Sequence, residues 1–228
     1  TVYKVIGIMS GTSLDGVDMA YCEFYLAGNK WNFKILHAQT FPYPNFWHET
    51  LSGLHKKNIR QIREVDIEYS DYLSRLVKNY IAENNLSIDF ISSHGHTVLH
   101  QPEKKLTLQI GNGKVISKMC NATVVSDFRT KDVKLGGQGA PLVPVGDLHL
   151  FSEFKYCLNL GGIANISIKE NYEIRAFDIC PCNLILNYLA EKKGKLFDKN
   201  GDMAECGKIR EDLLPELNRF DFYTLQPP

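Results

Sequence analysis

The chain has 228 residues, 44% apolar and 23% charged, an ordinary globular composition with room for one large domain or two smaller ones. Lysine plus arginine and aspartate plus glutamate both total 26, so the formal net charge is zero, which removes the electrostatic footprint of a nucleic-acid or anionic-membrane binder. No apolar run approaches a membrane span, and residues 1–10 lack the basic-then-apolar pattern of a signal peptide, so a cytosolic protein is expected.

In chain order, Val2 to Met9 is a β-branched and aliphatic run that predicts a buried strand, and Met19 to Leu26 predicts a second. Between them lies Gly11-Thr12-Ser13-Leu14-Asp15-Gly16-Val17-Asp18. One reading is an ordinary hairpin built from turn-forming Gly and Asp. The other is an anion site: the glycines admit close approach of backbone N–H groups, Thr12 and Ser13 add hydroxyl donors, and Asp15 or Asp18 can hold Mg²⁺ or a water on it. Trp31 to Thr40 predicts a third strand. From Asn58 to Asn84, Ile59, Ile62, Tyr69, Tyr72, Leu73, Leu76, Val77, Tyr80 and Ile81 recur at three- and four-residue steps, which predicts one long amphipathic helix or two in tandem. A strand at Phe90 to Ser93, a loop, a strand at Leu106 to Ile110, a helix at Gly113 to Cys120 and a strand at Thr123 to Ser126 complete an α/β unit with a mixed sheet.

A second cycle follows the glycine-rich link at 136–144. Tyr156 to Leu160 and Ile163 to Ile168 read as strands around the Gly161-Gly162 turn, Ile174 to Asp178 as a third strand, Asn183 to Glu191 as a helix, and Ile209 to Leu217 as a short one. The expected domains are therefore 1–128 and 129–228, each presenting a glycine hairpin to a shared cleft suited to clamping a nucleotide. Few elements follow in the second half, so it is expected to be incomplete and the chain a fragment.

The six cysteines are scattered, and several lie in apolar runs, so buried free thiols are expected rather than a disulfide framework. Cys180-Pro181-Cys182 lacks the C-x-x-C spacing of a metal or redox pair.

Three polar segments follow predicted strands. His94, His96 and His100 would share one face if the strand continued, so a metal site, and with it a metal hydrolase, has to be weighed. Gly95 interrupts that pattern, and a polar loop offering neutral donors and acceptors to sugar hydroxyls or a phosphate is the competing reading, beside plain solvated histidines. Arg129, after Asp127 and Phe128, can make a bidentate contact to an anion or a surface ion pair with Asp132. Asp178 at a strand's C-terminal end suits a general base, or else an acid near the start of the following helix.

The ordered set resembles the anhydro-N-acetylmuramic acid kinases: Met9 to Asp18, Ser93 to Val98 with His100, Gln109 to Gly113, Asp127 to Arg129 with Asp132, Gly136 to Pro144 with Asp147, Asn159 to Asn165, and Phe177-Asp178. Family chains are longer than this one. The resemblance implies a two-domain actin-like ATPase fold of the ribonuclease H-like type, with mixed sheets and an inter-domain cleft. It implies ATP-dependent opening and phosphorylation of 1,6-anhydro-N-acetylmuramic acid to N-acetylmuramic acid 6-phosphate in peptidoglycan recycling. On that basis Gly11, Thr12, Ser13, Leu14, Asp15, Gly16, Val17 and Asp18, with Gly161 and Gly162, bind ATP. Asp15 and Asp18 hold Mg²⁺, Asp178 is the catalytic base, and His94, Thr97 and Arg129 contact the sugar. The expected partners are ATP, the anhydro amino sugar and a second copy of the chain, with no nucleic acid and no membrane. Two positions depart from the family pattern: Cys180-Pro181-Cys182-Asn183 replaces Gly-Pro-Gly-Asn, and His96 replaces glutamine. A non-catalytic sugar or nucleotide sensor of the same fold is the alternative.

Overall fold

The computed structural model describes residues 1–11, 14–170 and 173–224. These divide into two compact units, Thr1–Leu150 and Phe151–Pro228.

In the first unit β1 (Val2–Ser10), β2 (Gly16–Ala27) and β3 (Lys30–Pro42) form an antiparallel meander, and β1 also pairs in parallel with β4 (Phe90–Gln101). The far side of β4 is shared by β5 (Leu106–Ile110), antiparallel to its second half, and β6 (Thr123–Ser126), parallel to its first half. The sheet is thus mixed, in the order β3-β2-β1-β4-β5 with β6 beside β4.

One helix, α2 (Ile59–Glu83), runs without a break through the segment where one helix or two were expected. Its 3.6-residue periodicity buries Ile62, Tyr69, Leu73, Val77 and Tyr80, and an Asn58–Gln61 capping box closes its N-terminus. That face meets Ile6, Ile8, Val17, Met19 and Ile91 of the sheet, Trp47 and Leu51 of α1 (Asn45–Ser52), and Ile116 of α3 (Gly113–Cys120). Burying each such side chain contributes roughly 1.5–3 kcal/mol.

Three expectations about the first unit need correction. The loop expected after Ser93 is strand: β5 supplies ladder partners for His96 to Gln101, a non-local pairing that local sequence does not encode. The helices α4 (Thr130–Lys134) and α5 (Val143–Leu150) were not expected. They pack on β5 and β3 respectively, so the compact division falls after Leu150 and not after residue 128.

The second unit holds an antiparallel sheet, β7 (Tyr156–Leu160), β8 (Ile163–Glu170) and β9 (Glu173–Pro181), followed by α6 (Asn183–Glu191). Beyond it are α7 (Asp202–Glu205) and α8 (Leu213–Leu217). The helix expected from Ile209 begins only at Leu213. Pro215 then falls in its first turn, where the missing N–H costs nothing, whereas a start at Ile209 would put the ring in a helix interior. All six cysteines are free, but only Cys22 is buried, and Cys206 is exposed.

Candidate active site

The first glycine hairpin joins β1 to β2. Thr12 and Ser13, two of its expected ATP ligands, lie outside the described residues. Leu14 takes a left-handed conformation (φ 59°) and packs against the core. The turn was expected to reach Asp18, but β2 begins at Gly16, so Gly16, Val17 and Asp18 are ladder residues opposite Pro42, Phe41 and Thr40. Gly16 is required there because a Cβ would run into the Phe41 carbonyl. Val17 is buried in the core. Asp15 and Asp18 are exposed, and Asp18 Oδ1 accepts a hydrogen bond from Thr40 Oγ1 at 2.5 Å. Tyr43, which nothing in the local sequence marked, spans the base of the turn. Its backbone N–H donates to the Asp15 carbonyl at 3.3 Å, and its hydroxyl lies 2.6 Å from Ser10 Oγ.

His94, inside β4, meets Arg129, which lies just beyond the end of β6. Arg129 donates from Nε (3.1 Å) and Nη2 (2.8 Å) to His94 Nε2, and from Nη1 to the Gly139 carbonyl (2.6 Å). Because a guanidinium can only donate, His94 Nε2 is an acceptor and Nδ1 carries the proton, which goes to the Gly95 carbonyl at 2.8 Å. Burial, and then the Arg129 charge, lower the His94 pKa, consistent with a neutral ring. Both ring nitrogens are thereby engaged, Nε2 with Arg129 and Nδ1 with the Gly95 carbonyl, and the Arg129 fork keeps two N–H donors beyond these contacts. The ion pair considered between Arg129 and Asp132 does not form. The Asp132 carboxylate accepts from Gly139 N–H at 2.7 Å and so shapes the glycine turn that receives Arg129.

The three histidines of the segment do not converge on a metal. β4 continues as a strand, but its register against β1 slips between Ile8 and Ser10, where Ile8 faces Ser93 and Ser10 faces His96. Gly95 makes that bulge with φ +70°, and a Cβ there would strike the Ile110 carbonyl. His94 therefore goes to Arg129, His96 to Ser10 and His100 to Thr107. Among the described residues no three His, Cys, Asp or Glu side chains gather into a metal set. Thr97 pairs across the ladder with Gln109, whose side chain reaches its hydroxyl at 3.5 Å.

A cavity of about 990 Å³ in the first unit is lined by Asp18 and Thr40 on one side and by His94 and Phe128 on the other. A smaller one, about 300 Å³, touches Ser93, His94 and Asp127. Among the described residues Ser93 Oγ is fully buried and has no hydrogen-bond partner.

Asp178, Gly161 and Gly162 belong to the second unit. Asp178 is exposed and sits within β9, three residues before its end, so it neither terminates the strand nor caps α6. It lines a cavity of about 520 Å³ with Cys180, Pro181, Phe220 and Tyr223. The Gly161 and Gly162 carbonyls accept the first N–H groups of α6, from Asn183 (3.1 Å) and Cys182 (2.9 Å), so this hairpin caps the helix. Neither Cys180 nor Cys182 adopts a positive φ, so the loop runs without the left-handed backbone that glycines would allow.

The profile of the anhydro-N-acetylmuramic acid kinase family matches residues 3–228. The chain belongs to that family. An anhydro-N-acetylmuramic acid kinase of Bacillus cereus (strain Q1) is 34% identical over 243 residues, covering 98% of this chain and 64% of the relative. One of Pasteurella multocida (strain Pm70) is 37% identical over 236 residues, covering 98% and 62%. The chain thus spans a little under two thirds of the length of these family members.

Proposed function

We propose that the full-length protein is an ATP-dependent kinase that opens 1,6-anhydro-N-acetylmuramic acid and phosphorylates it. The observation that carries this reading, beside family membership, is the large cavity on which Asp18, at the hairpin, and His94, the holder of Arg129, both open. The hairpin backbone of Gly11 to Gly16 cradles the ATP phosphates. Asp15 and Asp18, exposed carboxylates three residues apart, fit Mg²⁺, which takes one or two carboxylates and fills its remaining positions with water and phosphate oxygens. Bound there, it offsets phosphate charge. The two unused N–H donors of Arg129 meet a sugar oxygen or the lactyl carboxylate, and Thr97, on β4, belongs to the same proposal as a further sugar contact. Gly161 and Gly162, in the second glycine hairpin, belong to the same proposal as nucleotide-binding residues.

Asp178 takes a proton from the water that attacks the anomeric carbon. The C1–O6 bond of the anhydro bridge breaks as the new C1–O bond forms, and O6 takes the γ-phosphoryl group with ADP leaving. One base thus drives both events, through positioning rather than covalent catalysis. The product, N-acetylmuramic acid 6-phosphate, places the protein in peptidoglycan recycling.

The finer architecture belongs to the same proposal: a two-domain, ribonuclease H-like ATPase. In its support, both units open with a glycine hairpin, and the β7–β9 sheet and α6 leave Leu158, Leu160, Leu186 and Leu189 half exposed. A cytoplasmic location and a homodimer rest on the family alone. The decisive experiment supplies ATP and the anhydro sugar to the full-length protein in H₂¹⁸O. One ADP per sugar, with ¹⁸O at C1 and phosphate on O6, is the expected result. ADP release independent of the sugar, or no turnover, overturns the reading.

A further inference from the structure

Ser10, Tyr43, Tyr69 and His96 form a closed polar ring at the root of the first hairpin. Ser10 Oγ lies 2.6 Å from Tyr43 Oη, which lies 2.6 Å from Tyr69 Oη, which donates back to Ser10 Oγ at 2.9 Å. His96 Nδ1 approaches Ser10 Oγ at 3.2 Å. Four contacts need four protons, and the three hydroxyls supply three. The fourth must come from His96, which fixes its Nδ1–H tautomer. Burial lowers the His96 pKa to about 4, so the ring holds a neutral imidazole, and desolvation keeps both tyrosines protonated.

The members come from distant parts of the fold: the last residue of β1, the turn before α1, the middle of α2, and β4 just past the Gly95 bulge. Ser10 is the residue immediately before Gly11. Tyr43 reaches both flanks of the turn, through its hydroxyl to Ser10 and its backbone N–H to Asp15. We propose that this ring is the positioning device of the phosphate hairpin, with Tyr43 the staple that sets the spacing of its two ends and so its affinity for a nucleotide triphosphate. The inference rests on the hairpin's being the ATP-phosphate element. Its physical basis is that N–H groups bind phosphate only when the loop is already shaped, and a loop whose flanks drift apart pays for ordering on each binding event.

The test measures ATP and anhydro-sugar dissociation constants by calorimetry on the full-length protein. Tyr43→Phe keeps the ring contacts with Tyr69 and Tyr72 and removes only the hydroxyl. It is expected to weaken ATP about tenfold and to leave the sugar constant within about twofold. His96→Leu has the same effect, whereas His96→Gln, which retains an N–H donor, stays near wild type. In ¹⁵N-histidine NMR, the resonances lost in the His96 variants are those of a neutral Nδ1–H ring. An unchanged ATP constant in Tyr43→Phe, an equal loss of ATP and sugar binding, or an Nε2–H tautomer overturns the proposal. A wild type that does not bind ATP overturns the kinase reading itself, and this inference with it.

Discussion

Two histidines separated by one residue do different work because of where their protons sit. His94 accepts from Arg129 and donates to the Gly95 carbonyl, so it orients a guanidinium and has no nitrogen left for a ligand. Arg129→Lys keeps the charge but loses the fork, and the KM for the anhydro sugar is expected to rise at least about tenfold with the ATP constant unchanged. Steady-state kinetics with each substrate varied separately checks this. His96 is 3% exposed, and its pKa is held at about 4 against an ordinary 6.5. The unfolded chain therefore binds more protons than the folded one between those values, so stability falls as pH drops from 6.5 toward 4. The full effect is on the order of 3 kcal/mol. Urea unfolding at a series of pH values should show this slope in the wild type and a flatter one in His96→Gln; equal slopes would remove His96 as the cause. Sequence made these residues candidates by type alone. Their roles depended on contacts 35 and 86 positions away in the chain, which no local pattern encodes.

At the level of elements, legibility followed the range of the interactions. The helix α2 was readable because its periodicity is local, and β1 and β2 because each carries an apolar run. The second half of β4 was not, since only β5 makes it a strand. Nor were α4 and α5, short helices held by packing on β5 and β3. The bulge at Gly95 is the element-level device that sends His94 and His96 to different partners. Gly95→Ala combines a disfavoured φ of +70° with a Cβ against the Ile110 carbonyl, so a loss above about 2 kcal/mol is expected. Chemical denaturation measures it, and a change under about 0.5 kcal/mol would show that the bulge relaxes freely.

The two units differ in how far each can sustain itself. The first has a continuous core running from Ile6 to Ile116 between sheet and helices. In the second, Ala164, Ser167 and Ala190 are the residues buried among those described, while Leu158, Leu184 and Leu189 remain at least half exposed. So little buried apolar area does not offset the chain entropy of folding. Residues 1–150 expressed alone should melt cooperatively, and residues 151–228 alone should not; a sharp calorimetric transition in the latter would contradict this account. The family was legible because its glycine hairpins and short polar segments are local motifs in a fixed order. Their mutual geometry was not, because it is set by tertiary packing. The most direct test of the kinase account replaces Asp178 by Asn in the full-length protein and follows ATP-dependent conversion of 1,6-anhydro-N-acetylmuramic acid. The account predicts a loss of kcat of about a thousandfold or more with ATP binding retained, as removal of a general base requires. Turnover within about tenfold of wild type would contradict it.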